Sequence, residues 1–472
     1  MTVSDQDNQL STTNSEKLPL RGGFTTALGA LFATLGSAVG LGNIWKFPYM
    51  TGANGGAAFI IIYLLATLLV GLPVMISEIA MGRSARANAI ETMRKVSPSK
   101  KQPWWLIGAG GALAAFLIMA FYTEVAGWVF AYIFKSISGG FLSTDPNVTS
   151  QAFVDLISSP WQALIWQWVV LVVITIIIIR GVSKGIEATT KRLIPLLFVL
   201  LLVVDIRSLT LPGALEGLKF LFTPDFTKVT AATILAAMGL AFFKLSVGMG
   251  TMITYGSYWK DDQNIPGTTA RVMLSDLLVS VLAGVAVFPA VFAFGFQPDA
   301  GPSLLFITIP AVFASMPFGG VFMVVFFVLA GVAATGAMLS LIEVPVAFLN
   351  EQFKLPRAAG AIITAVLLAL IGSLAALSSS VLADVSVFGK NFFDLFDYLS
   401  SNVLLPLGGL FITLFVGWFW GRENIKQALT NDGTLNNEKL VQVFIVIVKF
   451  VTPLLVLLVL LNGFGVFNGL IQ

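Results

Sequence analysis

Long apolar stretches alternate with short polar linkers along most of the chain. These stretches approach or exceed the roughly 20 residues that a helix needs to cross the hydrocarbon core of a bilayer. The pattern therefore predicts an all-α integral membrane protein. A window of span length places eleven transmembrane helices near residues 24–49, 56–82, 105–137, 162–180, 191–211, 229–256, 268–296, 320–350, 358–379, 399–421 and 440–468.

The two ends of the chain differ in character. Residues 1–20 are polar and lack the apolar core of a signal peptide, so we expect an uncleaved cytoplasmic tail. Residues 21–472 are expected to form a single transmembrane domain.

Basic residues in the linkers predict the orientation. The linker after the second span is the most basic, and positive charge marks cytoplasmic loops. An odd number of spans then places the C-terminus outside, in a multi-pass protein of the cell (inner) membrane. The basic residues of that linker are Arg83, Arg86, Arg94, Lys95, Lys100 and Lys101.

Composition excludes several classes of protein. The chain has 472 residues, of which 57% are hydrophobic and only 11% are charged, whereas a soluble protein carries about 25% charged residues. Because the chain contains no Cys and no His, thiol and imidazole catalysis and His- or Cys-ligated metals are excluded. We therefore do not expect an enzyme. Any proton handling must use Asp, Glu, Lys or Tyr.

Two predicted spans carry a Gly-X-Gly sequence near mid-membrane: residues 40–42 in span one and residues 248–250 in span six. Glycine costs about 1 kcal/mol relative to alanine inside a helix, so both positions favour unwinding. An alternative is close helix packing on small residues. Two such breaks five spans apart indicate an inverted-repeat transporter, with a 5+5 repeat over about residues 24–211 and 229–421 and an extra helix at 440–468. Substrate is expected at the breaks.

The sequence GLGNIWKFPY at 40–49, followed by NGGAAF at 54–59, resembles the first-span signature of the neurotransmitter:sodium symporters, in particular of their bacterial branch. The resemblance implies the LeuT fold and secondary transport of an amino acid or related small molecule by alternating access. The expected partners are that small molecule and the lipid bilayer, with no nucleic acid. Other matching segments are GLP at 71–73, MGR at 81–83, LPGA at 211–214, PDF at 224–226, ITYGSY at 253–258, FPAVF at 288–292 and DLFDY at 394–398.

The resemblance also implies a substrate site. Tyr122 stands where a span-three tyrosine donates its hydroxyl to the substrate carboxylate, and Gly40 stands where monoamine carriers have an aspartate. These positions favour an amino acid, and the apolar lining favours a neutral, aliphatic one. The expected substrate-binding residues are Ser37, Ala38, Gly40, Gly42, Ile118, Tyr122, Phe243, Ser246, Met249, Ser340 and Leu341. By the same resemblance, Lys46 and Asp397 form the outer gate, with Phe243 as its aromatic lid.

The chain departs from the family at both sodium sites. In the first, Asn43 is present and Asp276 takes the span-seven position, but Lys244 stands where a span-six hydroxyl is expected. We predict that the Lys244 ammonium replaces the first sodium ion and pairs with Asp276, because a lone charge at mid-membrane is costly.

The second sodium site lacks both of the span-eight hydroxyls that the family provides as ligands, so sodium binding is not expected there. Its positions fall on Gly36, Val39, Ala333, Gly336 and Ala337. Leu240 replaces the glutamine of chloride-dependent members, so chloride coupling is not expected.

The sequence thus predicts sodium-independent transport of a neutral amino acid, coupled to protons or working by exchange, without a cofactor. Buried acids such as Glu78, Glu124 and Glu343 are further proton-carrier candidates, although each can equally be structural. Two alternatives remain, a conventional sodium/amino-acid symporter and a non-transporting amino-acid sensor. The oligomeric state does not follow from the sequence.

Overall fold

The structure is a computed structural model that describes residues 22–139, 143–295 and 304–467. Within these ranges the regular structure is helical, apart from one isolated bridge between Val387 and Lys390. The predicted all-α class is confirmed. The predicted tail at 1–20 and the predicted final residues of spans seven and eleven, 296 and 468, lie outside the described residues.

Among the described residues, eight helices are long and apolar enough to cross a membrane. They match predicted spans two to four and seven to eleven, although span ten begins several residues earlier than predicted. Spans two, ten and eleven each contain a π-helical segment. The eight helices are Ala57–Ala85, Trp105–Ile137, Pro160–Ile179, Ile265–Ala293, Gly319–Gln352, Arg357–Ala376, Phe392–Trp418 and Glu438–Gly463.

Two further apolar helices are bent against a neighbour. Ala27–Ala38 meets Gly42–Ala53 at 51°, so span one is interrupted at the glycine pair. Val182–Leu209 meets Ala214–Phe222 at 118°. Span five therefore begins about nine residues earlier than predicted, and a short helix follows it. Counting each bent pair as one span raises the described total from eight to ten.

Span six is interrupted as expected. Its first half is the helix Ala231–Lys244 and its second half is Thr251–Gly256, with residues 245–250 outside any helix. The break is therefore longer than the Gly-X-Gly sequence that indicated it. Neither half is long enough to cross a membrane alone. The total of eleven spans, the domain limits and the repeat boundaries stay predictions.

Short helices occupy several linkers where none was predicted. A span-length window detects long apolar runs and therefore misses helices of eight to thirteen residues. Ala89–Val96 illustrates why such a segment is helical, because the Asn88 side chain accepts hydrogen bonds from the amides of Ile90 and Glu91 at its start. The others are Pro146–Ser158, Ala214–Phe222, Leu305–Ala314 and Arg422–Thr430.

The two broken helices lie inside the bundle, against spans three and eight. Gly111 of span three contacts the backbone at Gly250, and Gly336 of span eight contacts the backbone at Gly36. Spans four and nine lie outside and present apolar side chains on the surface, including Val172, Ile176, Val366 and Leu370, which are 49–65% exposed. This arrangement places the irregular backbone of both breaks in the protein interior, where its polar groups find partners.

Candidate functional site

A small cavity lies between the two helix breaks. It has about 30 Å³ of open space, enough for one or two water molecules. Ten of the eleven predicted substrate-binding residues line it, and Ser340 is the exception. The lining residues are Ser37, Ala38, Gly40, Gly42, Ile118, Tyr122, Phe243, Lys244, Ser246, Met249, Ala337 and Leu341.

Tyr122 fixes one wall of this cavity. Its hydroxyl oxygen accepts a hydrogen bond from the Leu41 amide at 2.9 Å. That amide belongs to the interruption of span one, where the helix leaves its N–H groups free. A Cβ on Gly40 would lie 3.0 Å from the same hydroxyl and 3.1 Å from the Ala337 Cβ. The glycine therefore lets the tyrosine reach the broken backbone.

Three serines connect spans one, six and eight. The Ser246 hydroxyl donates to the Ser37 carbonyl oxygen, and the Ser37 hydroxyl donates to Ser340 Oγ, both at 2.8 Å. Ser340 in turn donates to the Ala337 carbonyl oxygen. Ser246 has a φ of +52°, which costs a non-glycine residue about 1–2 kcal/mol. Ser340, predicted to line the cavity, instead supports the serine that does.

Glu78 holds the break of span six. Its Oε1 accepts a hydrogen bond from the Gly248 amide at 2.6 Å, and the carboxyl is buried. Gly248 has a φ of +79°, and a Cβ there would collide with the Leu405 carbonyl oxygen of span ten. The backbone of the break is therefore positioned by span two on one side and span ten on the other.

Beside the cavity, Lys244 and Asp276 form a buried ion pair. The Lys244 Nζ lies 3.0 Å from Asp276 Oδ2, and both side chains are at most 1% exposed. The ammonium also donates to the Ser280 hydroxyl. It lies 4.7 Å from the ring centres of both Phe47 and Tyr63, where cation–π attraction adds to the ion pair.

Asn43 links this ion pair to the break of span one. Its Nδ2 donates to Asp276 Oδ1 at 2.7 Å and is also within hydrogen-bonding distance of Ser280 Oγ, at 3.0 Å. Its Oδ1 accepts from the Gly40 amide at 3.1 Å. The structure thus brings together the three residues predicted for the first ion site, and Asn43 connects them to the substrate cavity.

The positions predicted for the second ion site are tightly packed. A Cβ on Gly336 would lie 2.6 Å from the Gly36 carbonyl oxygen, so the two helix backbones approach closely. Val39, Ala333 and Ala337 are buried apolar residues. The nearby Thr335 hydroxyl donates to the Gly331 carbonyl oxygen of its own helix at 2.8 Å.

The predicted gate residues do not pair in this structure. The Lys46 ammonium lies 4.5 Å from the centre of the Phe243 ring. Asp397 accepts a hydrogen bond from the Ser401 hydroxyl at 2.7 Å. Lys46 therefore contacts the aromatic lid rather than the acid, and the Lys46–Asp397 gate pair stays a prediction.

Two of the buried glutamates have structural partners outside the cavity. Glu343 accepts from Tyr258 at 2.6 Å and forms a two-point ion pair with Arg357, at 3.0 and 2.6 Å. Glu124 accepts from the Trp128 indole at 2.7 Å. No motif indicated the Arg357 partnership, because the two residues lie on different helices. These contacts favour the structural alternative for both acids, although Glu124 Oε2 is buried without a hydrogen-bond partner.

Comparison with known proteins identifies the family. The sequence pattern of the sodium:neurotransmitter symporter family matches residues 21–152 and 149–470. The chain belongs to this family. It is the family that the first-span motif indicated, and its members are transporters rather than enzymes. Membership confirms a multi-pass membrane transporter.

Relatives from bacteria match this chain over nearly its whole length. The sodium-dependent transporter YhdH of Bacillus subtilis is 39% identical over 454 residues, covering 96% of this chain and 100% of the relative. A sodium-dependent transporter of Haemophilus influenzae is 34% identical over 461 residues, covering 96% and 99%. The crystal structure of MhsT in complex with L-phenylalanine has a TM-score of 0.86 at 41% identity, covering 94% of this chain and 100% of MhsT. The predicted LeuT fold is confirmed.

Proposed function

We propose that this protein transports a neutral amino acid across the cell membrane by alternating access. The observation that carries the proposal is the cavity between the two helix breaks, lined by Tyr122 and the unwound segment of span one. The similarity of the whole chain to MhsT, whose structure is a complex with L-phenylalanine, supports an amino acid as the substrate.

The chemistry of the cavity suits a zwitterion with an apolar side chain. The Tyr122 hydroxyl, which accepts from the Leu41 amide, still has its own proton to donate to a carboxylate. The carbonyls of the two breaks offer acceptors to an ammonium. Ile118, Met249 and Leu341 supply the apolar part of the lining. The cavity is small in this conformation, so a larger side chain requires these residues to move outward.

We infer that Lys244 acts as a built-in cation in place of the first sodium ion. Its ammonium already neutralises the Asp276 carboxylate at 3.0 Å in a buried setting. A second cation at the same place would face a fixed like charge at short range, which is strongly unfavourable where water is excluded. The Asn43 side-chain oxygen, Oδ1, already accepts a hydrogen bond from the Gly40 amide.

The second site supports the same inference. Sodium needs several oxygen ligands, but Gly336 and Ala337 have no side-chain oxygen and the Thr335 hydroxyl is bonded to its own helix. Neither site therefore has residues that fit a sodium ion. Transport would then be driven by protons or by exchange of one substrate for another. The cell (inner) membrane, an inward N-terminus and an outward C-terminus complete the proposal.

Sodium-coupled symport is the second candidate. The observation in its favour is that the relatives in Bacillus subtilis and Haemophilus influenzae are named sodium-dependent transporters. In this chain it would require the Lys244 ammonium to leave Asp276 whenever sodium enters.

Uptake into liposomes containing the purified protein tests these alternatives. Labelled neutral amino acids are offered with an inward gradient of sodium, of choline or of protons, and counterflow is measured without any gradient. We expect counterflow without sodium, which also excludes a non-transporting sensor. Uptake that rises steeply with sodium and does not respond to pH would overturn sodium independence while leaving amino-acid transport intact.

A further inference from the structure

A long apolar groove opens on the outside of the bundle, between the start of span three and span ten. Its volume is about 590 Å³, well above that of the substrate cavity. Its lining includes Ile107 and Gly110 on one side and Leu404, Leu407 and Phe411 on the other. On the span-ten side the lining extends over residues 404–419, about 22 Å along a helix. The hydrocarbon of one bilayer leaflet is roughly 15 Å thick, so the groove is longer than one leaflet is deep.

The groove faces the surroundings of the protein rather than an aqueous path. Leu106, Phe411 and Phe419 at its edges are 43–53% exposed. In a membrane protein, an exposed apolar surface of this kind lies against lipid chains. An aqueous opening toward the substrate cavity would instead be lined by polar groups.

Trp104 shapes the mouth of the groove. Its ring packs against Phe415 and Phe419, with centroids 5.1 and 4.7 Å apart. Its indole N–H donates to the Gln102 side-chain oxygen at 2.9 Å. Tryptophan with one polar contact and one apolar face is typical of the level of lipid headgroups.

Basic residues flank the groove's mouth in the sequence. Lys100 and Lys101 directly precede Gln102 and are exposed, and Arg422 follows Phe419 by three residues and is also exposed. Arg422 has an acidic neighbour in the sequence, Glu423. Lys100 and Lys101 have none, because the sequence contains no acid between Glu91 and Glu124. An apolar groove that ends at a basic rim complements an anionic phospholipid.

We propose that this groove binds an acyl chain of an anionic phospholipid, whose phosphate is held by Lys100 and Lys101. The floor of the groove connects it to the transport site. Gly408 packs so closely on the break of span six that a Cβ there would collide with the Gly248 carbonyl oxygen. A lipid chain filling the groove presses span ten against this break and stabilises it. The proposal does not rest on the transport mechanism proposed above.

Native mass spectrometry of the full chain in detergent tests the headgroup part. Phosphatidylglycerol and phosphatidylcholine are added in equal amounts, and the lipid retained per protein is counted. We expect preferential retention of phosphatidylglycerol. The double variant Lys100→Gln/Lys101→Gln should weaken its binding about tenfold. The control Lys184→Gln/Lys354→Gln, which removes the same charge from two other linkers, should not.

Leu407→Trp, which fills the groove, tests the chain part, and Leu370→Trp on the exposed face of span nine is its control. Only Leu407→Trp should lose retained lipid.

A fluorescence measurement does not depend on the folding of Leu407→Trp. A few equivalents of brominated phosphatidylglycerol should quench wild-type fluorescence measurably more than Trp104→Phe fluorescence. Equal retention of both lipids would overturn the proposal, and so would a Leu407→Trp variant that retains as much lipid as Leu370→Trp. A dimer that forms through the groove and retains no lipid there would also overturn it.

Discussion

Lys244 determines how charge is balanced beside the substrate cavity. Removing one partner of a buried ion pair leaves the other uncompensated, at a cost of about 3–5 kcal/mol. Asp276 is such a partner, because its buried carboxylate lies 3.0 Å from the Lys244 ammonium. The consequences of changing Lys244 should therefore depend on what replaces its charge.

Lys244→Thr should convert the protein into a sodium-responsive one. The hydroxyl adds an oxygen ligand beside Asp276 and Asn43, and a sodium ion can then neutralise the carboxylate. We expect the thermal midpoint and the uptake of this variant to rise with NaCl but not with KCl, whereas the wild type responds to neither.

Lys244→Met, which removes the charge without adding an oxygen, is the matched control and should be destabilised in both salts. A Lys244→Thr variant that behaves as the wild type does in sodium would refute the built-in cation.

Gly40→Ala should weaken substrate binding about tenfold. Its Cβ would lie 3.0 Å from the Tyr122 hydroxyl and 3.1 Å from the Ala337 Cβ. Both contacts are tighter than is usual, so the tyrosine would shift by a few tenths of an ångström away from the span-one amide. Substrate binding by scintillation proximity measures this. Gly239→Ala, in span six with no atom within 4 Å of the new Cβ, should bind substrate normally; equal binding by both variants would contradict this role for Gly40.

Sequence reasoning predicted the members of the site but not all their partners. Lys244, Asp276 and Asn43 were predicted to meet because a family motif fixes their places on three helices. The two aromatic rings beside the ammonium and the Arg357 contact of Glu343 depend on how helices distant in sequence pack. Periodicity along one helix contains no such information.

At the scale of elements, the break in span six is held from two sides. Glu78 binds the Gly248 amide, and the Leu405 carbonyl lies where a side chain at Gly248 would go. Gly248→Ala should therefore combine two penalties, strain at a positive φ and a steric collision with span ten. We expect it to abolish transport and to lower the thermal midpoint.

Gly181→Ala separates the two penalties. Gly181 has a φ of +92° but no neighbouring atom within 4 Å of the added Cβ, so only the strain applies, about 1–3 kcal/mol. Fluorescence-detected thermal unfolding compares the variants. Similar losses in both would show that contact with span ten is unimportant.

Two Gly-X-Gly sequences near mid-membrane, in the first and sixth predicted spans, correctly predicted which helices break. Glycine alone does not decide this, because Gly108-Ala109-Gly110 lies within the continuous helix Trp105–Ile137. The two sequences did not predict how far the second break extends, since residues 245–247 include no glycine and are held by tertiary contacts such as the Ser246 bond to Ser37. The linker helices were missed for a similar reason. Their stability comes from caps and docking rather than from hydrophobic length.

At the scale of the whole molecule, orientation is the main open prediction. The natural chain has no cysteine, so single introduced cysteines can be labelled without background. We expect Lys184→Cys to react with a membrane-impermeant maleimide only after the cells are opened, and Ser379→Cys to react in intact cells. Both positions are exposed. The reverse pattern would invert the topology.

The pairing of Lys244 with Asp276 also has an electrical consequence. A sodium ion that enters with a zwitterionic substrate brings net charge across the membrane, and the membrane voltage then drives accumulation by about 2.3 kcal/mol per charge and 100 mV. An ammonium fixed to the chain returns with the protein and delivers no charge. In exchange mode, such a transporter would be electroneutral, and an energised membrane would not by itself concentrate its substrate.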